Sequence, residues 1–285
     1  MASDGIKPRT ILEYVAILGV LYFFLGGQFS GVLQGQSSEE YDEPFPVSQE
    51  KIESLVYPDA NLKCHHPNFD VHIFSSSPLI IYIESFLSEE EKDRLMKISE
   101  DKWTPSTIFN NGVELSDESV RKSEKAMIER DHVVQCIEQR ALSFQGWPED
   151  TFVERLWTQR YNESGHYANH YDWAHASKQA RRVSTFMVYV KADCVGGGTN
   201  FPLLNRPKDE RWCQFIDCEQ PVEEGVTFLA KAGNAVFWEN FDPDGNGWRE
   251  GLHSGMPVKS GVKVGLNVWS WYQRGHGATL KTREG

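Results

Sequence analysis

The sequence predicts a mainly β fold with flanking helices, and three observations support it. From Glu154 onward, short segments alternate between apolar and polar residues and are separated by Gly, Pro and Asn turns, which is typical of half-buried strands. Two earlier segments, Val71–Phe74 and Leu79–Ile83, also have strand composition. With 285 residues, 40% hydrophobic and 12% aromatic, the chain can bury one sizeable core. We therefore expect an eight-stranded jelly-roll barrel, a double-stranded β-helix, with helices packed outside it.

Two helices are expected before this β region. Ser88 and Glu91 have the spacing of a capping box, which predicts a helix running through Ile98. A second helix is predicted around Asp131–Phe144, where apolar residues recur at helical spacing.

The N-terminus has the pattern of a targeting segment. Lys7 and Arg9 precede the apolar run 11–26. A membrane span needs about 17–25 mostly apolar residues, so residues 11–33 are predicted to be either an uncleaved signal anchor or a cleaved signal peptide. The positive-inside rule makes residues 1–10 a cytosolic tail. The rest is then expected on the lumenal face of the endoplasmic reticulum or Golgi, as a single-pass type II membrane protein or as a soluble lumenal or secreted product.

The remaining organisation follows from composition. Residues 34–66 contain charge and proline without periodicity, which predicts a linker. Order is expected to begin near Asp70, within a domain over residues 67–274, and residues 275–285 are expected to be a tail.

The net charge bears on the binding of nucleic acid, and the cysteine count bears on disulfides. A net charge of −12 argues against nucleic-acid binding, which usually needs a basic patch. Five cysteines in a lumenal domain suggest a disulfide and leave at least one free thiol. Cys213 and Cys218 are the candidate pair, because both lie in the long excursion 203–227.

A metal site is predicted from the stretch 161–172 and a histidine far downstream. On a strand, His170 and Asp172 point to the same side with one residue between them. If His253 joins them, two imidazoles and one carboxylate form the facial triad of non-haem iron(II) oxygenases. We therefore predict His170, Asp172 and His253 as ligands. His166 is four residues before His170, about 13 Å away along a strand, and is expected at the pocket mouth.

Ten residues after His253, Lys263 indicates an acidic ligand. The segment 262–269 alternates with period two, so Lys263 faces inward together with Gly265, Asn267 and Trp269. Burying a lysine is unfavourable unless it meets an anion, and an ammonium suits a carboxylate end, with room left by Gly265. An iron co-substrate with a carboxylate at its far end is 2-oxoglutarate.

Several motifs in the same order resemble the prolyl 4-hydroxylases of the iron(II)/2-oxoglutarate dioxygenase superfamily. They cover roughly residues 84–272, and they are Ile83–Lys92, Val120–Ser123, Glu154–Tyr161, Gly165–Asp172, Arg182–Tyr189, Gly196–Pro202, Lys231–Trp238, Leu252–Val258 and Gly261–Lys263. In this family the His-x-Asp pair and the later histidine bind iron, and the lysine binds the distal carboxylate of 2-oxoglutarate.

The resemblance also suggests roles for other residues. It implies that Tyr161 and Tyr189 line the co-substrate pocket, and that Arg121 and Ser123 lie in a flexible substrate loop that closes as a lid. Thr185 faces the same way as Tyr189, so it lines the pocket or packs in the core. Thr199 and Asn267 are further candidates for the lining. Trp269 stacks near the co-substrate or fills the barrel.

By this resemblance, the expected reaction is hydroxylation of peptidyl proline to 4-hydroxyproline in secretory-pathway proteins. The expected cofactors are Fe(II), 2-oxoglutarate, O2 and ascorbate, and the expected partner is a polypeptide containing proline. Two alternatives stay open: an oxygenase acting on lysine, a free amino acid or a small metabolite, and a catalytically silent lumenal binding module.

Overall fold

The computed structural model describes residues 47–110, 113–173 and 177–276. The α-helices in this part of the chain are α1 (Gln49–Ser54), α2 (Glu89–Ser99) and α3 (His132–Phe144). The strands are β1 (Leu55–Val56), β2 (Asp70–Ser76), β3 (Leu79–Glu84), β4 (Thr104–Pro105), β5 (Ile108–Asn110), β6 (Val113–Leu115), β7 (Arg121–Lys122), β8 (Glu124–Met127), β9 (Thr151–Glu154), β10 (Trp157–Tyr161), β11 (His166–His170), β12 (Ala180–Gly196), β13 (Thr199–Phe201), β14 (Val226–Phe228), β15 (Ala235–Glu239), β16 (His253–Gly255) and β17 (Val258–Gln273).

A ten-stranded major sheet forms one layer of the fold. Its order is β2-β3-β15-β12-β17-β10-β8-β4, with β9 also paired to β17 and β1 paired to β9. The long antiparallel pair β12 and β17 forms its centre. A β-bulge in β12 between Arg182 and Ser184 shifts the register there, and this irregularity affects the site described below.

A five-stranded minor sheet, in the order β14-β13-β16-β11-β7, forms the second layer. An aromatic-rich core joins the two layers, with Tyr82 and Trp238 of the major sheet packing with Phe201 and Phe228 of the minor sheet. The prediction of a mainly β jelly-roll fold is confirmed. The two sheets contain more strands than the eight expected, and they remain separate sheets instead of closing into one barrel.

The helices cover the opposite face of the major sheet, as the sequence predicts. Leu95 of α2 and Ile137 of α3 pack in one core with Val264 and Leu266 of β17. The apolar residues of β17 thus face the helices, which leaves Lys263 on the side that faces the minor sheet.

Both helices begin as their sequences dictate. Ser88 accepts a hydrogen bond from the Glu91 backbone, and Glu91 accepts one from the Ser88 backbone, which completes the capping box of α2. Asp131 caps α3 by accepting from the Val134 backbone at 3.0 Å. Glu91 also forms a buried ion pair with Arg140 of α3 at 2.6 Å, which joins the two helices.

The expectation that order begins near Asp70 is wrong, because part of the predicted linker 34–66 is structured. Helix α1 and strand β1 lie within it, and β1 pairs with β9. A disulfide joins Cys64 to Cys136 of α3. Gln139 of α3 donates to three backbone carbonyls of residues 59–62. These tertiary contacts stabilise the segment, and they leave no periodic pattern in the local sequence.

A second disulfide joins Cys213 and Cys218, the pair expected from the sequence. It lies in the excursion 203–227, which also contains the 3-10 helices Glu210–Gln214 and Val222–Glu224. Cys194 is a free thiol.

Among the residues that the structure describes, no helix is both long and apolar enough to cross a membrane. The predicted signal segment 11–33 and the cytosolic tail 1–10 lie outside these residues, as do residues 277–285 of the predicted tail.

Candidate metal centre and co-substrate pocket

The three predicted metal ligands lie close together. His170, the last residue of β11, pairs in register with His253, the first residue of β16. Asp172 follows in a turn, and its two oxygens lie 3.9 Å from the Nε2 atoms of His170 and His253, respectively. The three ligand atoms all lie within 4.8 Å of one another. They are therefore able to bind a single metal ion.

His170 and Asp172 do not share one strand, so the prediction from strand alternation is wrong in this detail. Strand β11 ends at His170, and Asp172 lies beyond it. The turn, instead of strand alternation, brings the carboxylate beside the imidazoles.

Backbone carbonyls fix the orientation of both imidazoles. Nδ1 of His170 lies 2.9 Å from the Ala168 carbonyl oxygen, and Nδ1 of His253 lies 2.9 Å from that of Gly251. Because a carbonyl oxygen only accepts hydrogen bonds, each Nδ1 carries the proton. Each Nε2 is then left with a free lone pair toward Asp172, the arrangement found in histidines that bind metals.

The local charges keep the ligands in the state that binds a cation. Burial lowers the pKa of His170, and the nearby His253 lowers it further, so that the imidazole is neutral. Burial alone would raise the pKa of Asp172, but His253 and Arg182 lower it well below its usual range. A neutral imidazole and an ionised carboxylate are the forms that ligate iron(II), so the residues present fit that metal.

Three side chains orient the Asp172 carboxylate. Thr185 and the Trp269 indole donate to its Oδ2 atom at 2.8 and 3.1 Å. Arg182 lies 3.5 Å from Oδ1 and donates to the Asp172 backbone carbonyl at 3.2 Å. Thr185 and Trp269 were expected as candidate pocket lining, but they contact the metal ligand and are not part of the cavity wall.

The cavity beside the metal ligands lies between the two sheets. The minor sheet contributes Tyr167, His170, Thr199, His253, Ser254 and Gly255, and the major sheet contributes Tyr161, Met187, Trp238, Lys263 and Asn267. Tyr161, Thr199 and Asn267 therefore line this cavity. Their contact with the co-substrate stays a prediction. The predicted room beside Gly265 is filled by Met187, whose terminal methyl would lie 2.5 Å from a Cβ atom at Gly265.

Lys263 has the properties of a buried anion receptor. Its side chain is 1% exposed, and its ammonium donates to the Gly197 carbonyl at 2.6 Å. It lies 4.6 Å from the Tyr161 ring centroid and 5.9 Å from that of Tyr189. Burial lowers the pKa of Lys263 to about 8. Its hydrogen-bond partner is a neutral carbonyl, and no carboxylate of the described residues forms a salt bridge with this ammonium.

Tyr189 lies behind the cavity wall. It is fully buried, and its hydroxyl is 2.8 Å from the Thr199 hydroxyl. Burial raises the pKa of Tyr189. In this structure it positions Thr199, whereas Tyr161 and Tyr167 line the cavity itself.

The two residues predicted for the substrate loop lie beside the site. Arg121, in β7, pairs with Tyr167 of β11 and its guanidinium lies 4.5 Å from the Tyr167 ring centroid. Arg121 donates to the Ser123 hydroxyl at 3.1 Å, and Ser123 donates to Ser106. Both side chains line a surface groove, and Arg121 links this groove to Tyr167 through its contact with the ring. Closure of this segment as a lid stays a prediction.

Sequence reasoning missed Arg182 and Tyr167 as members of the site. Tyr167 stacks on His170 with ring centroids 3.7 Å apart, and Arg182 stacks on Trp269 at 3.9 Å. Tyr167 is separated from His170 by two residues, a spacing that strict alternation assigns to the other face. The pairing of β11 with β16 has a register shift between Tyr167 and His170, so strict alternation does not hold between these two residues.

Comparison with known proteins identifies the domain. Residues 156–271 match the family model described as the 2OG-Fe(II) oxygenase superfamily. This stretch of the chain is therefore similar to 2OG-Fe(II) oxygenase domains. The match covers His170, Asp172, His253 and Lys263, and the expectation of Fe(II), 2-oxoglutarate and O2 is confirmed at the level of this superfamily.

The domain is also similar to prolyl 4-hydroxylases. Prolyl 4-hydroxylase 5 of Arabidopsis thaliana is 28% identical over 208 residues, which cover 70% of each chain. Prolyl 4-hydroxylase 13 of the same plant is 25% identical over 279 residues, covering 94% of this chain and 97% of the relative. Among solved structures, the viral collagen prolyl hydroxylase of Paramecium bursaria Chlorella virus-1 is 24% identical, with a TM-score of 0.47, and the match covers 67% of this chain and 95% of that one.

Proposed function

We propose that this oxygenase hydroxylates peptidyl proline to 4-hydroxyproline, using Fe(II), 2-oxoglutarate and O2, with ascorbate as an accessory cofactor. The observation that carries the proposal is one cavity with a complete metal triad at one end and the buried ammonium of Lys263 among its walls. The similarity to proteins named prolyl 4-hydroxylases supports proline as the target.

The chain's own residues supply binding and orientation. His170, Asp172 and His253 would hold the iron on one face and leave the opposite positions open. Lys263 would pair with the distal carboxylate of 2-oxoglutarate, and the Tyr161 ring would cover the ammonium–carboxylate pair from one side. When bound, iron and 2-oxoglutarate supply the oxidising chemistry that inserts one oxygen atom into a carbon–hydrogen bond, with succinate and CO2 as the other products.

The groove beside Tyr167 is the proposed path of the polypeptide. Its charged residues are three basic and three acidic ones: Arg121, Lys122, Arg160, Glu118, Glu124 and Glu163. An extended peptide in this groove would present one side chain toward Tyr167 and the metal ligands behind it. The mixed charges of the groove are compatible with a polypeptide of low net charge.

We further propose a lumenal location in the endoplasmic reticulum or Golgi, with residues 11–33 as the membrane anchor. Two disulfides support this proposal, because disulfides persist mainly in oxidising compartments. The basic residues before the apolar N-terminal run are consistent with a cytosolic tail.

A peptide screen tests the proposed reaction. The purified protein is supplied with Fe(II), 2-oxoglutarate and ascorbate, and succinate release is measured with proline-rich, collagen-like and lysine-bearing peptides. We expect proline peptides to stimulate succinate release and to gain one oxygen atom by mass spectrometry, at C4 of proline. Stimulation by lysine peptides or free amino acids alone would instead identify a different oxygenase, and metal binding without any turnover would indicate a silent binding module.

A further inference from the structure

A row of alternating charges connects the metal site to the N-terminal arm, defined here as residues 48–64. Lys51 of α1, Glu154 of β9, Arg182 of β12 and Asp172 follow one another with polar contacts of 2.5 to 3.5 Å. Only Asp172 is a metal ligand. Arg182 orients its carboxylate, and Lys51 and Glu154 have no part in the reaction described above.

Glu154 is the centre of this row. Its two oxygens accept from Arg182 Nε and NH2 at 2.8 and 3.0 Å, a bidentate pair. The Lys51 ammonium lies 2.5 Å from Oε2, and the Glu154 side chain is only 9% exposed. Burial alone would raise the pKa of Glu154, but Arg182 and Lys51 lower it below its usual value. The carboxylate therefore stays ionised and is shared between two cations.

Arg182 transmits this geometry to the metal ligand. Its Nε and NH2 atoms are occupied by Glu154, which leaves NH1 to contact the backbone and carboxylate of Asp172. The guanidinium plane also covers Trp269, whose indole donates to Asp172. The orientation of the Glu154 carboxylate therefore fixes the orientation of the Arg182 guanidinium, and with it the contacts of Arg182 with Asp172 and Trp269.

Lys51 is held in place from several directions. Its ammonium lies 4.2 Å from the ring centroid of Trp271, the residue opposite Arg182 in the sheet. Strand β1 pairs with β9, and the Arg155 backbone donates to Ser54. The Cys64–Cys136 disulfide anchors the far end of the arm. A lysine on a free linker would lose too much rotamer entropy to support a buried carboxylate, but this arm is already ordered.

We propose that Lys51 is a positioning residue for the metal site, acting through Glu154 and Arg182 on Asp172. The arm thus forms part of the oxygenase domain and supports the iron site through this row of charges. The inference rests on the metal site of the proposed function and is independent of which substrate that site hydroxylates.

The test measures metal affinity in the absence of any peptide. Co(II) is titrated anaerobically into the full-length protein, and its visible absorption band reports both affinity and ligand geometry. The variants are Lys51→Met, Lys51→Arg, Glu154→Gln and the double variant Lys51→Met with Glu154→Gln. Lys63→Met, at an exposed lysine on the same arm, is the matched control. Circular dichroism and thermal unfolding verify that each variant is folded.

Partners that contact a metal ligand directly typically contribute about 10- to 100-fold to metal affinity. Glu154 acts through such a partner, Arg182, so for Glu154→Gln we expect a loss at the lower end of this range, about 10-fold. For Lys51→Met, one step further out, we expect a loss of about three- to tenfold, with a changed Co(II) spectrum. Lys51→Arg should restore most of the affinity, and the double variant should lose no more than Glu154→Gln alone.

Two results would overturn the inference: Lys51→Met binding Co(II) as tightly as Lys63→Met, or independent, additive losses in the double variant. If Lys51→Met does not fold, Lys51→Gln, which keeps a hydrogen-bond donor, replaces it in the same comparison. Failure of the unchanged protein to bind Co(II) would instead disprove the proposed metal site. Co(II) binding without proline hydroxylation would disprove only the substrate.

Discussion

Two buried charges in the cavity region, on Asp172 and Lys263, have different surroundings. Asp172 is compensated by Thr185, Trp269 and Arg182 and needs only a cation to complete its environment. Lys263 donates to one neutral carbonyl and has no comparable compensation. A buried charge without a partner is unfavourable, and a pocket that combines an anionic metal ligand with a free cation suits a chelating dianion such as 2-oxoglutarate.

At the metal, His170→Ala, Asp172→Ala and His253→Ala should each abolish succinate release, because a three-residue site no longer binds iron firmly after losing one ligand. The fold should survive, as judged by circular dichroism. His166→Ala is the control, because both ring nitrogens of His166 lie near backbone carbonyls, those of Ser164 and Ser119. Iron-dependent turnover in any of the first three variants would contradict the assignment.

For the co-substrate, Lys263→Ala should raise the KM for 2-oxoglutarate far more than it changes peptide binding. Removing one partner of a buried ion pair typically costs about 3–5 kcal/mol, or roughly two to four decades in affinity. Lys263→Arg should rescue only partly, because the planar guanidinium needs more width. A near-normal requirement for 2-oxoglutarate in Lys263→Ala would mean that another group binds the anion.

The same lysine should also destabilise the protein when no co-substrate is bound. Burial lowers the pKa of Lys263 from 10.5 to about 8, so below pH 8 the folded protein contains an unfavourable buried ammonium. Between pH 8 and 10.5 the unfolded chain binds this proton and the folded protein does not, so stability rises with pH. Lys263→Met should therefore raise the free energy of unfolding at pH 7 by a few kcal/mol.

Urea unfolding at several pH values, without 2-oxoglutarate, measures this effect. The advantage of Lys263→Met should shrink as the pH rises from 8 toward 10.5. Lys259→Met, at an exposed lysine on the same strand, is the control and should change little. A loss of stability in Lys263→Met at pH 7 would show that the packing and hydrogen bond of the lysine outweigh the unfavourable burial of its charge.

At the level of elements, the faces of regular strands are predictable from the sequence, but the positions of β-bulges are not. The alternation of residues 262–268 correctly separates the face packed against the helices from the face carrying Lys263, because β17 is regular there. In β12, strict alternation places Arg182 and Thr185 on opposite faces. The bulge between Arg182 and Ser184 brings both to Asp172, and a bulge has no simple periodic signal in one sequence.

The N-terminal arm was missed for a different reason. Helix α1 has six residues and strand β1 has two, so neither is long enough to show a period. Isolated helices of this length are unstable in water. Tertiary contacts therefore determine the structure of the arm, and Cys64–Cys136 is one of those contacts.

Removing that bridge should loosen the arm. The two cysteines are 72 residues apart in sequence, and closing a loop of this size restricts the unfolded chain considerably. We expect Cys64→Ser with Cys136→Ser to lower the free energy of unfolding by about 2–5 kcal/mol, as measured by chemical denaturation. Cys213→Ser with Cys218→Ser, which opens a loop closed by cysteines only five residues apart, should cost less. An equal or greater cost for this second pair would contradict the expected dependence on loop length.

For the whole molecule, the two disulfides and the N-terminal pattern support the same proposed location. Disulfides at Cys64–Cys136 and Cys213–Cys218 require an oxidising compartment to persist. The basic residues Lys7 and Arg9, followed by an apolar run, would leave the first residues in the cytosol and translocate the remainder. These two arguments are independent, because one concerns redox chemistry and the other concerns insertion into a membrane.

Translation in the presence of microsomes tests this location directly. The domain should be protected from added protease and should become sensitive when detergent opens the vesicles. It should also remain in the membrane pellet after alkaline carbonate extraction, since an uncleaved anchor is not removed by high pH. A soluble product starting near residue 28, released by carbonate, would show that residues 11–33 contain a cleaved signal peptide. A domain that protease digests in intact vesicles would contradict the lumenal placement and would leave both disulfides without an oxidising compartment.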